Sequence, residues 1–177
     1  MMVVAIVGNP SSGKRTLAAA LCVQRSLTVI GPLELRAVLS TAGTPIASEA
    51  KTLLERGSVL SDRLYGSLLA EAVGELDAVV VGRPRTIDEL QAFLQKCASP
   101  LFVIHLRASQ AAIYSRRFAA GLPPIEIEHP GALQRLEEGL VPVLAAAGES
   151  KRLLELDANL PLAELVEQAD RFLDATS

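Results

Sequence analysis

The segment Gly8-Asn9-Pro10-Ser11-Ser12-Gly13-Lys14-Arg15-Thr16 follows directly on the apolar run Met2–Val7 and leads into an apolar-periodic stretch that begins at Lys14. A buried strand, a glycine-bounded turn and a helix start in that order restrict the chain to folds in which backbone N–H groups converge beside a sheet. Glycine is required where a Cβ would intrude on the convergence, as at Gly8 and Gly13, and Gly8, Ser12, Gly13, Lys14, Arg15 and Thr16 are the candidate phosphate-binding residues. Such a cup holds a polyanion, above all the phosphates of a nucleoside triphosphate. Lys14 would bridge the outer phosphates as a point charge, and a hydroxyl at the helix start would hold Mg2+. In the commonest form of this loop the hydroxyl follows the lysine at once. Here Arg15 intervenes and the metal-facing hydroxyl is that of Thr16, so the loop is a variant. Arg15, in the first helical turn, is expected to face solvent or an α-phosphate. Ser11, where a glycine is usual, is expected to be tolerated by keeping an ordinary φ.

Four further runs rich in Val, Ile and Leu follow the first, at Leu27–Ile30, Ala78–Val81, Leu101–Leu106 and Arg152–Leu156, and read as buried parallel strands. Helical spacing marks Lys14–Gln24, Ser61–Leu76, Ile87–Lys96, Ser109–Ala120, Gly131–Ala147 and Leu162–Leu173. This alternation predicts an α/β fold, a five-stranded parallel sheet with helices on both faces, in one domain spanning 1–177. Half the residues are hydrophobic while only 3% are aromatic, so the core must be built from Ala, Val, Leu and Ile, which suits helices on a parallel sheet. Two stretches interrupt the alternation. Residues 31–76 hold enough helical material, with turn signals at Thr44-Pro45 and Gly57, for a helical insertion. Residues 121–131, with Pro123, Pro124 and Pro130, read as an extended loop between helices.

The formal charge of −3 and the scatter of basic residues leave no footprint for a nucleic-acid backbone. Cys22 and Cys97 lack metal-ligand or redox spacing and fit apolar helical patterns as small core residues. His105 and His129 are too isolated for a metal site or a triad. The acidic residues Glu126, Glu128, Glu137 and Glu138 read as a solvated face. Met2–Val7 is too short to span a membrane and lacks the flank of a secretory signal, so no membrane partner is expected and the cytoplasm is the expected location.

The loop with its hydroxyl displaced by one residue resembles that of the adenylate kinase family of nucleoside monophosphate kinases. Gly31-Pro32-Leu33-Glu34-Leu35-Arg36 is similar to the family segment that opens the helical monophosphate-binding insertion, and Gly82-Arg83-Pro84-Arg85-Thr86 to the Asp-Gly-Phe/Tyr-Pro-Arg-Thr segment after the third strand. Ser115-Arg116-Arg117-Phe118 resembles the arginine-bearing helix before the lid, Gln134-Arg135-Leu136 the helix after it, and 121–131 the short form of the lid. The resemblance implies ATP and Mg2+ as cofactors, with Arg36 and Arg85 gripping an acceptor monophosphate beside Gly82. It implies Arg117 or Arg116 flanking the donor nucleotide, and Lys14, Arg85 and Arg135 acting on the transferred phosphoryl group. Glu89 falls where a Gln usually reads the adenine edge, which makes it the candidate base-contacting residue.

The sequence also departs from that pattern. Val81 replaces the strand-three carboxylate that organises water around Mg2+, which puts metal dependence in doubt. Asp77 sits at the wrong end of the strand to substitute. Both arginines that a short lid usually brings to the phosphates are missing from 119–126, unless Arg83 or Arg107 fills the gap. A carboxylate at Glu89 accepts but donates no hydrogen bond, so it cannot reproduce the pairing of an amide with adenine. Retained residues serve binding and missing ones serve transfer. The reading is an ATP-binding, adenylate kinase-like protein with phosphoryl transfer weak or lost, serving as a scaffold or regulatory subunit, a flagellar or ciliary assembly being conceivable. The alternatives are an active nucleoside monophosphate kinase and a kinase for another small molecule.

Overall fold

A computed structural model describes residues 1–41, 43–125 and 131–176. Its centre is an all-parallel five-stranded sheet in the order β2-β3-β1-β4-β5. The strands are β1 Val3–Val7, β2 Thr28–Ile30, β3 Ala78–Val81, β4 Leu101–Arg107 and β5 Leu153–Asp157. The helices are α1 Lys14–Arg25, α2 Pro32–Thr41, α3 Pro45–Glu55, α4 Asp62–Val73, α5 Ile87–Lys96, α6 Gln110–Ala119, α7 Ala132–Glu149 and α8 Leu162–Thr176.

Every residue of β1 is buried, because a central parallel strand is covered on both faces. Its side chains alternate between two cores. Val4 and Ile6 pack with Leu17 and Leu21 of α1 and Leu165, Ala169 and Leu173 of α8. Val3, Ala5 and Val7 pack with Leu68, Leu69 and Val73 of α4, Leu90 and Phe93 of α5, and Leu140 and Val143 of α7. Ion pairs from Arg25 to Asp170 and Asp174 fasten α1 to α8.

The strands expected from the apolar runs are all present, with β4 and β5 each reaching one residue further than their runs. Residues 31–76 hold α2, α3 and the whole of α4, and the two turn signals there mark the breaks between helices. Thr44 caps α3 through its side chain with Pro45 at the first helical turn, and Gly57 takes a φ of 72° after the helix. The expected helix to Leu76 stops at Val73, because Gly74 takes a φ of 52° and closes α4. The expectation of an ordinary φ at Ser11 is corrected: the residue stands at φ 59°, in the left-handed region. The turn demands that geometry whichever residue occupies it, at a cost of about 1 kcal/mol for a side chain with a Cβ.

Candidate functional site

In this strand order the connections from β1 and β4 leave in opposite directions, which opens a crevice at their carboxyl ends. Gly8 follows β1 there with φ 135°, and a Cβ on it would stand 2.3 Å from the Leu106 carbonyl oxygen of β4. Only glycine lets the loop start this close to the neighbouring strand. Gly13, at φ 99°, then begins α1 with no side-chain cap. Thr44, Ser61, Thr86 and Ser109 each cap the helix that follows them with a hydroxyl. The first-turn amides of α1 therefore keep their donors for something else.

The Lys14 ammonium curls back over this loop, donating to the carbonyl oxygens of Gly8 at 2.9 Å and Asn9 at 2.6 Å. Burial, with the neighbouring Arg85 guanidinium adding to it, lowers its pKa from 10.5 to about 8. Two other polar atoms of the loop, Ser12 Oγ and Asn9 Oδ1, are buried without a hydrogen-bond partner. From behind, Arg116 of α6 donates to the carbonyl oxygens of Ser11 and Ser12 at 3.3 and 3.1 Å and to that of Ala158 at 2.6 Å. Asn9 Nδ2 donates to Glu137 of α7 at 2.9 Å, so that acidic side chain touches the loop and is not merely solvated.

A cleft of about 690 Å3 opens in front of the loop, walled by Gly13, Lys14, Arg15, Thr16, Val81 and Arg85 among others. Of the loop residues singled out from sequence, Gly8 and Ser12 are buried behind this surface, while Arg15 and Thr16 are exposed on it. A second cleft, also about 690 Å3, lies between the 31–76 helices and α7. Arg36, Arg83, Arg85 and Arg135 line it together with Asp62 and Tyr65, and its remaining wall is largely leucine. Arg85 borders both clefts.

Gly82 continues the β3 pairing by donating its N–H to the Ile6 carbonyl oxygen at 2.8 Å, then turns at φ 76°. That turn brings 82–86 against Lys14, whose Cε would lie 3.7 Å from a Cβ at 82. Arg85 Nε donates to the Gly82 carbonyl oxygen at 3.1 Å. On the opposite side Gly139 of α7 lets the loop approach, since a Cβ there would stand 2.8 Å from the Arg85 carbonyl oxygen.

Glu89, expected at the acceptor base, lines neither cleft. Its side chain is wholly buried, and its Oε2 accepts from Arg83 Nη1 at 2.8 Å and from the Arg85 amide at 3.1 Å. Oε1 has no partner, and burial raises the carboxyl's pKa while Arg83 opposes the rise. Arg83 lies with its guanidinium carbon 3.7 Å from the centroid of the Tyr65 ring. Sequence reasoning offered Arg83 as a stand-in for a lid arginine, but its ties to Glu89 and Tyr65 hold it on the wall of the second cleft. Arg107 lies at the exposed end of β4 beside Glu155 and Asp157, and it also lines a surface cleft together with Asn9 of the loop after β1 and Glu137 of α7.

Arg117 is buried at the end of α6 and donates from Nε to the Pro123 carbonyl oxygen at 2.7 Å, which ties the segment after α6 to that helix. Of residues 121–131, expected from sequence to form a short lid, 126–130 lie outside the described residues, and with them the sequence readings of Glu126, Glu128, His129 and Pro130. His105 Nδ1 lies 3.1 Å from Glu155 Oε1. Asp77 meets the Met2 amide at the amino end of β3, the end remote from the clefts.

Thr16 is the one side-chain oxygen that the sequence offers for Mg2+, and it shares its cleft wall with Val81, whose side chain brings no ligand atom. Among the described residues no group of three or more His, Cys, Asp or Glu is placed to hold a metal ion. Mg2+ is usually bound through one or two carboxylates together with phosphates, so this donor set does not fit a metal held by the protein. Among the described residues no helix is long and apolar enough to cross a membrane.

No family model matches the sequence. The chain is similar to the adenylate kinase of Azorhizobium caulinodans, 25% identical over 96% of this chain and 97% of that one. It is also similar to the adenylate kinase of Parasynechococcus marenigrum, 25% identical over 94% and 96% of the two chains. A third, the adenylate kinase of Methylobacterium radiotolerans, is 27% identical over 65% of this chain and 62% of its own.

Proposed function

We propose that this chain, a divergent adenylate kinase-like protein of the nucleotide-kinase type, binds ATP at the phosphate loop and a nucleoside monophosphate in the second cleft, and transfers phosphate between them slowly or not at all. The observation that carries the reading is the position of Arg85 on the wall of both clefts. One guanidinium there can touch the acceptor phosphate and the outermost donor phosphate together, which is what in-line transfer needs. Residues 1–177 act in this reading as one domain, with 31–76 as the acceptor-binding insertion and 121–131 as the lid, working on soluble nucleotides in the cytoplasm.

The chain's own residues suffice for binding. The uncapped first turn of α1 and the amides after Gly8 receive phosphate oxygens, and the Lys14 ammonium turns from the carbonyls of Gly8 and Asn9 to the anion. Arg15 and Thr16 stand on the same wall. Arg36 and Arg85 hold the acceptor phosphate, and Arg135 reaches the phosphoryl group from α7. Arg116 and Arg117 act at one remove, by fixing the phosphate loop and the base of the lid. An acceptor oxygen attacks the terminal phosphorus in line while the bond to the leaving diphosphate breaks, and the positive groups neutralise the charge spread over the transferred oxygens.

Transfer is impaired because side chains specific to the transition state are missing. Val81 supplies no charge at the carboxyl end of β3, and Ala119, Ala120 and Leu122 stand where lid arginines are expected. Loss of a single transition-state arginine costs roughly 10^3–10^5 in rate. The test is calorimetric titration with ATP, with and without Mg2+, followed by ADP-production assays against a panel of monophosphates. Triphosphate binding that Lys14→Ala abolishes, that depends only weakly on Mg2+, and turnover well below about 1 s−1 are expected. Equal ATP affinity in wild type and Lys14→Ala would refute the binding assignment, and turnover at or above that rate would refute the impairment.

A further inference from the structure

We propose that the Arg83–Glu89 pair makes the second cleft selective for a 6-oxopurine acceptor, a guanine nucleotide in preference to an adenine nucleotide; this rests on the monophosphate reading above and names the base. The polar group offered by this part of the cleft wall is the Arg83 guanidinium. Its side chain is 20% exposed while that of Glu89 is fully buried, so the pair shows the cleft donors and hides its acceptor. One Nη1 bond goes inward to Glu89, and the ring of Tyr65 supports one face of the guanidinium. Arg83 and Tyr65 also border a recess of about 50 Å3 behind the cleft, closed by Ile30, Leu69 and Val81. The recess is apolar apart from arginine and tyrosine, and Ile30 brings no hydroxyl to it.

A guanidinium edge offers two parallel N–H donors. Guanine presents O6 and N7 side by side as two acceptors, whereas adenine presents N7 beside an N6 amino donor, so a fork that fits guanine meets adenine donor to donor. Asp62 lines the same cleft with a carboxylate of which Oδ2 accepts from Thr86, and it can take the N1–H and N2 amino group of guanine. Glu89 matters because Arg83 is aimed by it: without that buried carboxylate the fork loses its fixed direction. Glu89 is therefore a positioning residue and Arg83 the specificity-determining one.

The test compares calorimetric affinities of the intact protein for GMP, AMP and 7-deaza-GMP, after ATP binding has been measured separately. GMP is expected to bind at least about tenfold more tightly than AMP, from the discrimination of one bidentate pair. Replacing N7 by carbon in 7-deaza-GMP should remove most of that advantage. Arg83→Gln/Glu89→Gln keeps the buried pair neutral, so no lone charge is stranded, and should bring GMP and AMP within about threefold of each other while ATP affinity stays unchanged. AMP binding as tight as GMP, or 7-deaza-GMP as tight as GMP, overturns the inference in the wild-type protein with no variant needed. A GMP preference that survives in the folded double variant overturns the role of the pair. ATP binding together with AMP preference sinks this inference alone, whereas failure to bind ATP sinks the function proposed above and this inference with it.

Discussion

Lys14 gives the phosphate site a pH signature that can be worked out in advance. Its ammonium is lowered to about 8 by burial and by Arg85. A triphosphate placed against it would return its pKa to the ordinary value near 10.4 or above. Binding then draws a proton from solution wherever the free site is already neutral. At pH 9 only about a tenth of free Lys14 is charged, so roughly 0.9 proton should be taken up per triphosphate bound, against roughly 0.1 at pH 7. Phosphate groups contribute little to this uptake, because their second pKa is about 6. Affinity should be flat up to about pH 7.5 and then fall toward tenfold per pH unit between 8 and 10. Calorimetry in buffers of different ionisation enthalpy reads the proton count directly. Without ligand the sign reverses for stability. The unfolded chain holds this proton more tightly than the folded one between pH 8 and 10.5, so conformational stability should rise across that window, by at most about 3 kcal/mol at 1.36 kcal/mol per unit. Lys14→Met should abolish both effects. Proton uptake below about 0.2 at pH 9, with affinity unchanged from pH 7, would show that Lys14 is not the titrating contact.

Three further outcomes can be checked. Gly8→Ala places a Cβ 2.3 Å from the Leu106 carbonyl oxygen at a φ of 135°, so it should destabilise the fold by about 3 kcal/mol or more in urea unfolding and abolish ATP binding. Arg116→Ala removes the bonds that tie the phosphate loop to Ala158 and should weaken ATP binding by about tenfold with a stability loss of about 1–2 kcal/mol, measured by titration and thermal unfolding. Val81→Asp restores a carboxylate on the half-buried wall of the phosphate cleft, and should make both ATP affinity and turnover respond to Mg2+ between zero and millimolar concentration where the wild type responds weakly.

The sheet was legible because its strands are buried on both faces and so read as uninterrupted apolar runs, and the tight turn from β1 into α1 because only glycine fits at Gly8 and Gly13. What escaped depends on where side chains meet across the fold. Arg116 and Arg117 are adjacent in sequence but diverge by about 100° around α6, and sequence left both open for the donor nucleotide; one holds the phosphate loop and the other Pro123. The family resemblance puts Glu89 where a Gln reads the adenine edge. In the fold it turns inward onto Arg83 and the Arg85 amide, a pairing fixed by the bend at 82–86 rather than by any local pattern. The left-handed φ of Ser11 could not be read at all, since serine has no preference for it.

The tight seat of the Arg85 carbonyl against Gly139 has a consequence for how such a site can change over time. Residue 139 is four positions from Arg135 on α7, so Arg85 and Arg135, which line the same cleft, share a common mount, and a side chain added at 139 would push the two apart. Any drift at 139 therefore acts on both arginines at once, however far apart they lie in sequence.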